Sequence, residues 1–153
     1  MTTAFRRVAW VSGVLVGVGV AAFAQTRTAP AVQYLPAEKV NATFTKGGPL
    51  IETDTYKVQA SRRDRDGQAE VHARDTDIFW IQEGTATLVT GGEVVNGKET
   101  APDERRGETI TRGKEQRVAK GDIITIPNGV PHMFKDVKAP FVYYTVKVTA
   151  PRP

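Results

Sequence analysis

The chain holds two histidines and no cysteine. His72 lies in "EVHARDTD" and His132 closes "GDIITIPNGVPH". Without a thiol there is no cysteine nucleophile and no cysteine-held metal, so any metal must be bound by His, Asp, Glu or backbone oxygen. An imidazole at a fixed position can ligate a divalent ion through a neutral nitrogen or carry protons. The sequence gives His132 such a position. Gly121-Asp122 is turn chemistry, "IITI" is a β-branched run that suits a strand, and Pro127-Asn128-Gly129 is a tight turn in which Pro presets φ and Asn or Gly accepts positive φ. The strand that follows puts His132 and Phe134 on one face and Met133 on the other. The plain alternative for either histidine is a structural side chain satisfied within a strand.

The elements that must position these residues read as β almost throughout. "TDTYKVQASRR" alternates Tyr56, Val58 and Ala60 on one face. "GQAEVH" puts Ala69 and Val71 on one side and Gln68, Glu70 and His72 on the other. "DIFWIQEGTATLVTGG" is two β-rich runs parted by Glu83-Gly84, and "PFVYYTVKV" ends the series. On that last strand Phe141, Tyr143 and Thr145 share one face and Val142, Tyr144 and Val146 the other. One tyrosine faces the interior, and the sequence does not say which. Trp80, between Phe79 and Ile81, reads as core or dimer interface. Six or more short strands without an amphipathic helix indicate an all-β sandwich or barrel. Ahead of them, residues 25–50 form a lead-in that is extended or holds one short helix in "LPAEKVNATF", ended by Gly47-Gly48-Pro49. Residues 93–117 are charged with mixed signs and break the rhythm. They are expected to be a hairpin insertion with a mobile tip at residues 102–107, either a solvated loop or a lid over one barrel mouth.

The first residues read as an address. Arg6 and Arg7 supply a positive n-region, an uncharged stretch follows, and Ala22-Phe23-Ala24 has the small-x-small pattern of a cleavage site, so residues 1–24 are expected to be a signal peptide. An uncleaved anchor is the alternative, although residues 8–24 are short for a span. The 21 basic residues, less Arg6 and Arg7, against 17 acidic ones leave the mature chain at +2. That balance argues against nucleic acid as a partner, and after cleavage no membrane contact is expected. The expected location is periplasmic or secreted.

The opening segment resembles the second motif of the cupin superfamily, G-x5-P-x-G-x2-H-x3-N. Gly121, Pro127, Gly129 and His132 fall on its positions, and Asp136 stands where the motif has Asn. The first motif, G-x5-H-x-H-x3/4-E-x6-G, is then similar to "EVHARDTDIFWIQEG". His72 takes the second His slot, Asp77 the Glu slot, Gly84 the closing glycine, and Glu70 stands in the first His slot. The resemblance implies a single cupin-type jelly-roll β-barrel over residues 51–150, often dimeric. It also implies a divalent metal (Fe, Mn or Zn) held by His72, Asp77 and His132, with Glu70 as a fourth ligand or acid–base group. Asp77 is an odd number of residues from His72, so it reaches the same interior only if "ARDT" turns. Glu70 and Tyr144 are the candidates for a catalytic role. The implied function is a metal-dependent enzyme of oxygenase, isomerase or lyase type acting on a small oxygenated molecule. The alternative is a non-catalytic small-molecule-binding or structural jelly-roll module.

Overall fold

A computed structural model describes residues 31–152. The expected signal peptide lies outside the described residues. The chain divides into Met1–Val32 and Gln33–Pro153, and the architecture that follows is that of the second unit.

One helix, α1 (Ala37–Phe44), follows Pro36, which is extended and has φ fixed by its ring. Glu38 sits in the first turn, where the helix dipole favours a carboxylate. The helix ends at Thr45, with the Gly47 N–H donating to the Thr43 carbonyl at 2.9 Å. Its Phe44 ring meets Tyr144 edge-on at 4.8 Å. Among the described residues no helix is long and apolar enough to cross a membrane.

The rest is β: β1 (Gly48–Glu52), β2 (Tyr56–Arg63), β3 (Ala69–His72), β4 (Asp75–Thr90), β5 (Glu93–Val95), β6 (Lys98–Ala101), β7 (Glu104–Gly107), β8 (Thr109–Thr111), β9 (Lys114–Ala119), β10 (Ile123–Ile126) and β11 (His132–Thr149). Two long strands organise it. β4 and β11 pair antiparallel from His132↔Thr90 to Thr149↔Asp75, with register shifts between Lys135 and Tyr143. Such bulges bend a strand and raise its twist. At the bend Gly84 has φ +79, and a Cβ there would lie 2.4 Å from the Pro140 carbonyl oxygen, so only glycine fits. Each long strand therefore serves two parts of one curled sheet. The first half of β4 pairs with β10 and its second half with β9. The second half of β11 pairs with β2, and His132 at its start pairs with Glu70 of β3. β3 continues to β7 and then β6, while β5 and β8 form a separate two-stranded ribbon.

Alternation along the long strands fills the interior. Asp77, Phe79 and Ile81 point in, while Trp80 is 51% exposed on the outer face. From β11 come His132, Phe134, Phe141, Tyr143 and Thr145, all buried. Phe79, Phe134 and Tyr143 meet pairwise with ring centroids 5.3–5.4 Å apart, a geometry that favours offset and edge contacts. Met133, on the opposite face of β11, is also buried, in a second cluster with Ala69, Val89 and Ile110. Ile110 of β8 and Val94 of β5 cover that face, so the start of β11 is enclosed on both sides.

Residues 93–117 fold back on themselves, β5 against β8 and β6 against β7, and residues 104–107 of the expected tip are strand. They form β5 to β8 and the start of β9, and β7, lying in the expected tip, pairs with β3 from Ala69↔Gly107 to His72↔Glu104. The segment reads as solvated because the inward face of β7 is itself charged: Glu104 and Arg106 line a cavity rather than a hydrophobic core.

Candidate metal centre

Three local devices bring the site together. β3 ends at His72, and its neighbours in the sheet are β11 and β7, so Glu70 lies opposite His132 and His72 opposite Glu104. After His72 the chain bends at Ala73-Arg74 and enters β4, which lets Asp77 turn inward despite the odd spacing. The turn at Pro127-Asn128-Gly129 then grips the end of β3. The Gly129 N–H donates to the His72 carbonyl at 2.8 Å, and the Asn128 side-chain amide donates to the Ala73 carbonyl at 3.1 Å. Gly129 takes φ +79 to do so. The turn thus sets the position of His132 and of His72 together.

His132 Nδ1 lies 3.1 Å from the Val130 carbonyl oxygen, a partner for an Nδ1 proton, and in that tautomer Nε2 is the free acceptor that a metal ligand requires. His72 Nε2 is buried with no hydrogen-bond partner. Around it stand Glu70 Oε2 at 3.6 Å and Asp77 Oδ2 at 3.5 Å, and the same Asp77 oxygen is 3.5 Å from His132 Nε2. Glu70, His72 and His132 each offer one donor atom within 4.8 Å of the others. Donors bonded tetrahedrally to a first-row divalent ion at ~2.1 Å lie about 3.4 Å apart, close to these separations. An orphaned imidazole nitrogen, a second imidazole fixed by its backbone bond and two carboxylates therefore fit such an ion.

The four sequence-predicted ligands converge, but the carboxylates arrive already partnered. Lys147 Nζ contacts Asp77 Oδ1 at 2.7 Å and Oδ2 at 2.9 Å. Glu70 is bracketed by Arg63 at 3.2 Å from Oε1 and Arg106 at 3.0 Å from Oε2. Arg106 also pairs with Glu104, and Arg63 donates to the Tyr143 hydroxyl at 2.8 Å. Burial lowers the His72 imidazole below its usual value, and the nearby Lys147 ammonium adds to this, which keeps the ring neutral as a metal ligand requires. For Asp77 burial acts upward, but the His132 imidazole and Lys147 outweigh it and hold the carboxyl below its usual value. Burial pushes the Tyr143 hydroxyl up, against the pull of Arg63.

While His72 lines an adjoining cavity with Asp75 and Glu104, the residues Glu70, Asp77, His132 and Lys147 line one of about 290 Å³ that Phe79 and Phe134 also line. Tyr143 is the tyrosine that lines it. Tyr144, the candidate from sequence, stands on the outer face between Phe44 and Trp80, its ring 6.1 Å from that of Trp80. Sequence reasoning missed Lys147, Arg63 and Arg106. Lys147 had a visible signal, because it continues the Tyr143, Thr145 face of β11. Arg63 is the last residue of β2, at the end of the run "TDTYKVQASRR" whose apolar face alone was read from sequence.

No protein-family model and no curated protein matches the chain. Solved structures do. BH2720 from Bacillus halodurans is 13% identical with a TM-score of 0.52, over 84% of this chain and 87% of that one. KdgF from Halomonas sp. is 12% identical with a TM-score of 0.49, over 69% and 80%. An uncharacterized conserved protein with a double-stranded β-helix domain from Klebsiella pneumoniae is 16% identical with a TM-score of 0.48, over 69% and 72%. At such identities a likeness speaks to fold alone. The likeness to BH2720 shows the fold alone, and the curled sheet with the Gly121 to His132 turn at the heart of the site is consistent with the jelly roll that the sequence's resemblance to the cupins implies.

Proposed function

We propose that the protein is an exported, metal-dependent enzyme that acts on a small oxygenated molecule inside the barrel. The observation that carries the reading is His72 Nε2, buried without a partner and ringed by Glu70, Asp77 and His132. A buried polar atom left unpaired costs about 1–3 kcal/mol, and a cation accepted at that position removes the cost. His72 and His132 hold the ion, with Glu70 and Asp77 as the carboxylates beside it. When bound, a divalent ion supplies Lewis acidity toward an oxygen of the substrate.

The chain's own residues supply the rest. Arg63 and Arg106 fix the Glu70 carboxylate from both sides, and Arg63 also fixes the Tyr143 hydroxyl, which faces the cavity as a hydrogen-bonding group for the substrate. Phe79 and Phe134 also line the cavity, so a ligand meets apolar rings as well as polar groups. The volume admits a ligand of modest size, and the predominance of polar lining favours one rich in oxygen. Export is inferred from residues 1–24. A homodimer is inferred from the outer face, where Ile123 (68% exposed) and Trp80 (51% exposed) lie side by side in register and continue to Tyr144.

The test is elemental analysis of protein purified without chelator or immobilised nickel, comparing wild type with His132→Ala and His72→Ala. Near-stoichiometric Fe, Mn or Zn that disappears in both variants supports the reading. Absence of metal in wild type after reconstitution overturns it and leaves a binding module.

A further inference from the structure

We propose that Lys147 is a tethered counter-cation that sets how tightly the site takes a metal ion. The proposal rests on the metal-binding reading above and concerns regulation of that same site.

Lys147 lies on the inward face of β11, and its side chain is only 14% exposed. It contacts both oxygens of Asp77, whose side chain is 3% exposed, and the oxygen it holds at 2.9 Å is the one that faces both imidazoles at 3.5 Å. A positive charge is thus fixed directly behind a donor atom of the candidate centre. Arg63 and Arg106 divide their contacts between Glu70 and other groups, Tyr143 and Glu104. Among the described residues Asp77 is the only carboxylate paired with Lys147, and Lys147 is the only lysine or arginine paired with Asp77.

Two consequences push in the same direction. Without metal, Lys147 neutralises a buried carboxylate whose other close neighbours are the two imidazoles, so it stabilises the metal-free state. With metal, the ammonium repels a divalent ion at short range where water screens little, so it destabilises the metal-bound state. Removing the charge therefore tightens metal binding from both ends, and the lysine keeps affinity below what the donor set alone would give.

The experiment titrates Zn(II) into full-length wild type, Lys147→Gln, Lys147→Met and Lys147→Arg in competition with a chromophoric chelator. Lys135→Gln, at a half-exposed lysine paired with Glu115 outside the cavity, corrects for the loss of one charge from the chain. The zinc Kd falls at least tenfold in the Gln and Met variants and stays within about twofold of wild type in Lys147→Arg and Lys135→Gln. The metal-free Gln variant melts below wild type and gains more on zinc addition. Zinc bound only by the neutral variants supports the proposal in its strongest form. Wild-type zinc binding that is lost in His132→Ala yet unchanged or weaker in the neutral variants overturns the role of Lys147 and leaves the metal site standing. Zinc bound by none of the proteins overturns both. If Lys147→Gln is unfolded without metal, recovery of its near-ultraviolet dichroism on zinc addition supports the same shift, and failure to recover overturns it.

Discussion

Replacing Asp77 by Asn in the metal-free protein removes a carboxylate whose two oxygens both hold Lys147. The shape is kept, and the Lys147 ammonium loses its partner. Removing one member of a buried ion pair typically costs ~3–5 kcal/mol, because the other charge stays desolvated. Lys147 keeps 14% of its side-chain exposure, and so regains some hydration. The expected cost is then at the lower end, about 2–4 kcal/mol. Urea unfolding in the presence of a chelator measures it as a fall in midpoint at unchanged slope. Removing both charges, in Asp77→Asn with Lys147→Met, should recover about 2 kcal/mol of that loss, which a double-mutant cycle reads as coupling. The pH dependence supplies a second check. Asp77 has a carboxyl held below its usual value, so its contribution is present above the ordinary carboxyl pKa and is lost as pH falls through the folded value. The gap between wild type and Asp77→Asn should therefore be flat through neutral pH and close only below about pH 4. A cost within about 0.5 kcal/mol, or a double variant no better than the single one, would refute the account of this pair as a buried, coupled unit.

Two further outcomes follow from the fold and the site. Gly84→Ala forces a Cβ to within 2.4 Å of the Pro140 carbonyl oxygen at φ +79, and should cost about 3 kcal/mol or more in thermal melts; a loss below 1 kcal/mol would mean that the bend relaxes easily. His72, lowered by burial, is neutral in the folded state. As pH falls below the ordinary imidazole value of about 6.5, the unfolded chain takes up a proton that the native state resists, and stability declines. His72→Gln should flatten that decline in the metal-free protein, and an unchanged pH profile would assign it elsewhere.

Much of the site was legible because its residue types are scarce. With two histidines in the chain, the turn chemistry around His132 and the spacing to His72, Asp77 and Glu70 led to one point, and the structure gathers all four there. The β pattern was legible from period-two alternation in β2, β4 and β11, and helix α1 from Pro36 and the Gly47-Gly48 stop. What escaped were elements whose inward face is polar. β7 presents Glu104 and Arg106 to the cavity, so it lacks the apolar alternation by which a strand is recognised. Lys147 and Arg63 were passed over for the same reason, since a charged side chain is assigned to solvent unless a cavity is known to receive it. Tyr143 and Tyr144 differ only in parity, and parity is fixed by pairing of β11 with β2 and β4, which no local signal reveals.

The central position of β11 has a kinetic consequence. It is the last of the described strands, yet it pairs with β2, β3 and β4, and its partners at the far end, Asp75 and Thr149, are 74 residues apart. Loops of that length close late, and folding dominated by such non-local pairings runs on the order of milliseconds to seconds. Until residues 132–149 arrive, β2 and the first half of β4 lack the strand between them, and His72 has no second imidazole. The docking of β11 thus completes the interior and the donor set in the same step.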